Sequence, residues 1–290
     1  MPKESAPKSI ESKKSPIPGQ STSRRDFLKK MGILATGAPF VKIDNVLDIQ
    51  EKTAQDWMVE CGQIITNEQY EKILENPYLV FALYCSKAAV DKMARPPYEY
   101  PSEEIISNIY PLITREFREN YFNFLRNLIQ ERGVTPEDME MERSYLPLDN
   151  PSLRGINATH PDAFDLFTDE GAPVYSIKGG IVVLVENGWN KEDKFSTSSM
   201  RGGNTVIVFD PQAESFYRYA HLQETLVQAG TILPSGTRIG IVGHTGVSAS
   251  QPGHGGHLHL EINEYDKKEG IMKAVSARKL QERIKILQAS

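Results

Sequence analysis

All six histidines of the 290-residue chain lie between His160 and His259. His257-Leu258-His259 opens an alternating segment that continues as Leu260, Glu261 and Ile262. On a β-strand both imidazoles of such a pair project from one face, where they can share a metal ion. A hydrolytic zinc site needs about three nitrogen or oxygen ligands and one open position for water. His160, Asp165 and one histidine of the pair supply a set of that type. The ion would lower the pKa of its water and polarise a scissile carbonyl, while nearby imidazoles move protons or stabilise an oxyanion. Such chemistry uses more histidines than ligands, and His221 with the other member of the pair meets that need. Paired histidines on a strand also occur without a metal, so their spacing alone leaves both readings open.

The other polar candidates have structural explanations beside the functional ones. His244 in a Gly-rich turn and His254 in the loop Ser248 to Gly256 read as solvated turn residues. Tyr219, two before His221, is expected on the same strand face, packing there or donating to an oxyanion. Glu261 either steadies a ligand from behind or makes a surface ion pair. Asn204 follows two glycines at a strand entrance and serves either the turn or a substrate groove. The loop Gly253 to Gly256 lacks the following helix and Lys-Ser/Thr pair of a phosphate cradle, which argues against nucleotide binding.

These residues require a β-rich frame, and the pattern supplies one after about Leu153. Strands are predicted at Val174 to Ser176, Ile181 to Glu186, Thr205 to Phe209, Phe216 to His221, Arg238 to Val242 and His257 to Ile262, in an antiparallel sheet or sandwich. From about Asp44 to Glu140 the apolar spacing is helical. Thr66 and Gln69 form a capping box, and Pro77 marks the end of that helix. Ser102 opens a longer helix that Pro111 kinks or divides and Gly133 stops. Leu280, Ile284 and Leu287 share one face of a last helix, expected at the sheet edge. The fold class is therefore α+β: an N-terminal helical region, a β-rich antiparallel-sheet domain and a C-terminal helix. The expected division is 1–41, 42–150 (helices and linker), 151–265 (the site domain) and 266–290. Nothing in the helical region suggests chemistry; it reads as a platform, or as a restraint on access to the site.

The net charge of -5, from 38 acidic and 33 basic side chains, argues against nucleic acid as a partner. The Lys-, Ser- and Pro-rich start, to about Gln20, is predicted to be disordered. Ser23-Arg24-Arg25-Asp26-Phe27-Leu28-Lys29 and the mildly apolar run Met31 to Val41 resemble a twin-arginine export signal. Paired arginines in the first turn of an ordinary helix would oppose its dipole. The apolar run is too short to span about 30 Å of hydrocarbon, so no permanent membrane span is expected. Cys61 and Cys85 either form one disulfide or stay as buried thiols.

A series of segments then carries a resemblance over roughly Gly155 to Asn263. They are Asp165-Leu166-Phe167 with Gly171-Ala172-Pro173-Val174, Gly203-Asn204, Tyr219-Ala220-His221-Leu222, Gly240-Ile241-Val242-Gly243-His244-Thr245-Gly246 and Gly256-His257-Leu258-His259-Leu260-Glu261. In this order they resemble the lysostaphin-type (LytM-like) zinc metalloendopeptidases of bacterial cell walls. The resemblance implies that His160, Asp165 and His259 bind one zinc ion and that His221 and His257 are the catalytic imidazoles. It further implies hydrolysis of peptidoglycan peptide by a protein of the periplasm or cell envelope, which meets the twin-arginine export machinery transiently. One departure stands out: that family usually sets its first His four residues before the Asp, whereas His160 precedes Asp165 by five. A one-residue bulge, or Asp162 as substitute, would accommodate it. The competing expectations are an inactive module of the same fold that binds a cell-wall partner, and a peptidase of other exported substrates.

Overall fold

The structure is a computed structural model that describes residues 65–93, 101–140, 144–149, 151–153, 161–192, 197 and 201–289. All belong to one compact unit, Ala35–Ser290. The start expected to be disordered, the twin-arginine segment, Cys61 and His160 lie outside the described residues.

Local sequence sets the first helices. In α1 (Asn67–Glu75) the Thr66 hydroxyl accepts from the Gln69 N–H while the Gln69 side chain accepts from the Thr66 N–H, the expected capping box. Asn76 then ends α1 and caps α2 (Pro77–Tyr84), with its side chain accepting from the Leu79 N–H. Pro77 thus opens a second helix, its missing N–H costing nothing at that position. Leu79 through Tyr84 are all buried, so α2 is enclosed on every side. Cys85, which follows it, is buried too. After α3 (Lys87–Met93), α4 (Pro101–Ile109) runs into a 3₁₀ turn at Tyr110–Leu112, and α5 (Arg115–Glu131) starts afresh with Thr114 as its cap. Pro111 therefore divides the long helical pattern in two. Among the described residues no helix is long and apolar enough to cross a membrane.

Ten strands form the sheet among the described residues: β1 (Ser152–Leu153), β2 (Phe164–Phe167), β3 (Pro173–Tyr175), β4 (Gly180–Glu186), β5 (Asn204–Asp210), β6 (Ser215–Thr225), β7 (Ile232–Leu233), β8 (Arg238–Val242), β9 (His257–Asp266) and β10 (Ile271–Ala274). The main path runs β1-β2-β9-β6-β5-β4-β7, with β10 on β9, and β8 bridging β3 and β6. Every described pairing is antiparallel. The six predicted strands are present. β1, β2, β7 and β10 were not predicted; they span only two to four residues each, too few to show a period.

The two faces of this sheet carry different loads. One buries Leu166, Val206, Val208, Tyr217, Tyr219, Leu258, Leu260 and Ile262 in the main core. The last helix, α6 (Ala277–Ala289), adds Leu280 and Ile284 to that core. It packs against β2, one place in from the end of the sheet path, and so covers the core face near the expected edge. On the other face Phe122 of α5 stacks on Phe209, with ring centroids 4.9 Å apart, and meets Phe216 and Tyr265 at 5.8 and 5.2 Å. Along β9 that second face continues from Tyr265 back through Asn263, Glu261 and His259 to His257.

Candidate active site

Strand pairing brings the chemical residues together. Asp165 lies opposite His259 and Phe167 opposite His257 in the β2/β9 register. Asp165 Oδ1 is 2.8 Å from His259 Nδ1. The Phe167 ring stacks on His257 at 5.1 Å. His221 reaches the same place from β6, its ring 4.8 Å from that of His257 and 5.4 Å from that of His259. Asp165, His221, His257 and His259 all line one cavity of ≈ 340 Å³, walled on one side by residues of α2 and α3. Asp162 and the exposed His254 line it as well.

His221 gets there through an irregular backbone. Its φ is +63°, a left-handed conformation that costs an L-residue about 1–2 kcal/mol. At this residue β6 changes partner: Ser215–Ala220 pair with β9, and Leu222–Thr225 pair with β8. The break in pleating lets Arg218 and His221, three residues apart, both line the cavity, which strict alternation forbids. The same break corrects the expectation that Tyr219 shares the face of His221. Tyr219 is fully buried in the main core and accepts a hydrogen bond from the Ile177 N–H at 2.8 Å.

Thr245 locks this arrangement. Its carbonyl accepts from His221 Nδ1 at 2.7 Å, and its hydroxyl donates to the Leu222 carbonyl and accepts from the Asn204 N–H. Gly203 and Gly246 cross directly behind it. A Cβ on Gly203 would sit 2.3 Å from the Gly246 nitrogen, and one on Gly246 would sit 2.1 Å from the Arg201 carbonyl oxygen. Asn204 serves the turn: its side chain accepts from the Gly188 and Trp189 N–H groups and donates to the Gln223 carbonyl.

Of the cavity imidazoles outside the Asp165 contact, His221 and His257 have fixed tautomers when neutral. His221 Nδ1 donates to the Thr245 carbonyl and His257 Nδ1 to the Gly255 carbonyl, at 2.7 and 3.0 Å, which leaves each Nε2 as the acceptor. Burial, reinforced by His259 and His257, holds His221 well below the usual histidine range, so it is neutral at pH 7.

His259 differs, for it has a carboxylate at each nitrogen: Asp165 at Nδ1, and Glu261 Oε1 at Nε2, 2.8 Å away. A neutral imidazole donates from one nitrogen only. The two contacts therefore call for an imidazolium, for a protonated carboxyl that donates to the ring, or for a cation shared between Nδ1 and Asp165. Glu261 also accepts from Arg218 at 2.7 Å, in an ion pair that is largely buried and not at the surface. Burial pushes the Glu261 carboxyl up to about 8.

Nitrogen and oxygen donors of this kind suit zinc. Among the described residues, however, no group of three or more His, Cys, Asp and Glu side chains is placed to hold a metal ion. The described part of the set is Asp165 with His259, since His160 falls outside it. His244 does not join the cluster: it is half exposed and pairs with Glu170 at 2.8 Å. Sequence reasoning missed Arg218, Phe167 and Thr245, whose parts depend on cross-strand register or on a backbone carbonyl.

No curated protein matches the chain. Among solved structures it is similar to the antimicrobial peptidase lysostaphin from Staphylococcus simulans, at 24% identity over 50% of this chain and 49% of that one, with a TM-score of 0.31. It is also similar to a zinc-containing peptidase from Vibrio cholerae, at 23% identity over 47% and 39%, TM-score 0.33. A third is a putative glycyl-glycine endopeptidase LytM from Ruminococcus gnavus, at 16% identity over 75% and 96%, TM-score 0.38. The chain spans about half the length of lysostaphin and less of the Vibrio protein. Residues 159–270, the stretch that carries Asp165, His221, His257 and His259, match peptidase family M23, which supports a peptidase, a hydrolase of peptide bonds.

Proposed function

We propose that this protein is an exported zinc metalloendopeptidase that hydrolyses peptide bonds of peptidoglycan, with residues 151–265 as its catalytic domain, 42–150 as a helical region and linker, and 266–290 as a C-terminal segment. The observation that carries the reading is the convergence of Asp165, His221, His257 and His259 in one cavity, within a stretch that matches peptidase family M23. His160, Asp165 and His259 are the residues that would hold zinc. A zinc ion there would polarise the scissile carbonyl and acidify a water molecule.

The other steps belong to the chain's own side chains. His221 and His257, each committed through Nδ1 to a backbone carbonyl, present Nε2 to the cavity. One Nε2 takes the proton of the attacking water, and the imidazolium so formed returns it to the leaving amine; the other imidazole stabilises the developing oxyanion when it carries a proton on Nε2 and donates from it. Phe167, stacked on His257, keeps that ring from turning. Export through the twin-arginine route to the periplasm or cell envelope belongs to the same reading and rests on Arg24 and Arg25.

The test is metal content together with the release of new amino termini from purified cell-wall sacculi. Wild type carries about one zinc and releases amino termini. His259→Ala loses both, and His221→Ala keeps the metal but loses cleavage. Absence of zinc and of cleavage in the wild type would leave the alternative, an inactive module that binds a cell-wall partner.

A further inference from the structure

We propose that Phe81, Arg218 and Glu261 are positioning residues that together hold the His259 imidazole, so that helix α2 of the helical region is a working part of the site. Four contacts form a continuous chain. The Arg218 guanidinium lies over the Phe81 ring at 5.5 Å from its centroid. Arg218 Nη1 donates to Glu261 Oε1 at 2.7 Å, that oxygen is 2.8 Å from His259 Nε2, and His259 Nδ1 is 2.8 Å from Asp165. The path passes from α2 through β6 and β9 to β2.

Each contact removes a freedom that the next residue would otherwise keep. An imidazole turns about its Cβ–Cγ bond unless its second nitrogen is engaged; Glu261 engages it and selects which nitrogen faces Asp165. Glu261 has three side-chain torsions of its own, and Arg218, its cross-strand partner, fixes them. Arg218 in turn needs a lid, because a guanidinium open to water pairs weakly with a carboxylate. Phe81, only 3% exposed and held in the buried helix α2, supplies that lid and leaves the Arg218 side chain 11% exposed. The loss of α2 would thus reach His259 without touching it.

The inference rests on the zinc reading for its metal readout, and a second readout frees it from that reading. The full chain is prepared as wild type, Phe81→Leu, Arg218→Met, Arg218→Lys and Glu261→Gln. Zinc dissociation constants are measured by chelator competition, and the His259 ring N–H is followed by NMR of histidine-labelled, metal-free protein. Glu261→Gln is expected to weaken zinc binding about 10- to 100-fold. Arg218→Met and Phe81→Leu weaken it several-fold, and Arg218→Lys, which keeps the charge, recovers part of the loss. In the metal-free samples the wild-type ring N–H exchanges slowly with water, and all but Arg218→Lys speed that exchange. If Arg218→Met and Phe81→Leu lower only the thermal midpoint, with ring exchange and zinc affinity unchanged, these residues merely pack and the proposal is wrong. If wild type binds no zinc yet ring exchange responds as stated, the zinc reading falls and the positioning chain stands.

Discussion

At the scale of single residues, His221 concentrates the tension between stability and chemistry. A left-handed φ on a non-glycine residue persists only where the surroundings enforce it, here through Thr245 and the Gly203/Gly246 crossing. Replacing His221 with Gly should give a protein about 1 kcal/mol more stable than the Ala variant, measured by urea denaturation, with both inactive. Equal stabilities would mean that the backbone there is unstrained. Thr245→Val keeps the carbonyl that fixes the imidazole but loses both hydroxyl contacts, so it should cost about 1–3 kcal/mol. Acid should act through His221 as well. Its folded-state pKa lies well below 6.5 while the unfolded chain titrates near 6.5, so lowering the pH protonates the unfolded state first. Its contribution is full above about pH 6.5 and is lost as the pH falls below that value. In metal-free protein, His221→Gln should flatten this part of the stability-pH curve; an unchanged curve would assign it to other groups.

At the scale of elements, α5 is joined to the sheet through a buried aromatic and through polar contacts such as that of Arg118 with the Gly270 carbonyl. Phe122 is fully buried and touches Phe209, Phe216 and Tyr265, and the ion pair Arg126–Glu214 at 2.8 Å stands beside it. Phe122→Ala should cost about 3–5 kcal/mol in chemical denaturation, because the cavity cannot collapse between a helix and a sheet. Arg126→Ala removes a partly exposed pair and should cost under about 1 kcal/mol. A comparable loss in the two variants would show that charge, and not packing, docks the helix.

At the scale of the whole molecule, one sheet serves two ends through its two faces. The face that buries Leu258 and Leu260 is packed against core and α6, which keeps β9 from shifting register. The opposite face carries His257 and His259 into the cavity and, farther along, meets the N-terminal helices. A bound metal would tie β2 to β9 in the native state alone. Under the proposed reading, removing zinc should lower the thermal midpoint and cost about 2.7 kcal/mol, relative to zinc at a hundredfold excess over its dissociation constant. An identical midpoint with chelator and with zinc would separate stability from metal.

Much of this was legible in the chain itself, for identifiable reasons. The capping box at Thr66, the division at Pro111 and the helix-to-strand change after Leu153 are local, set by side chains within a few residues of one another. The shared face of His257 and His259 follows from the two-residue period of a strand. The order of the quoted segments sufficed for the family resemblance. Tertiary structure decided what register and bulges control. That Asp165 faces His259, that Arg218 faces Glu261, and that Phe81 of a distant helix covers Arg218 depend on which strands become neighbours, and residues far apart in sequence carry no local mark of that. The sharpest case is β6: periodicity put Tyr219 beside His221, and alternation with Tyr217 does keep the phenol in the core, but the left-handed backbone at His221 turns the imidazole to the other face and into the cavity.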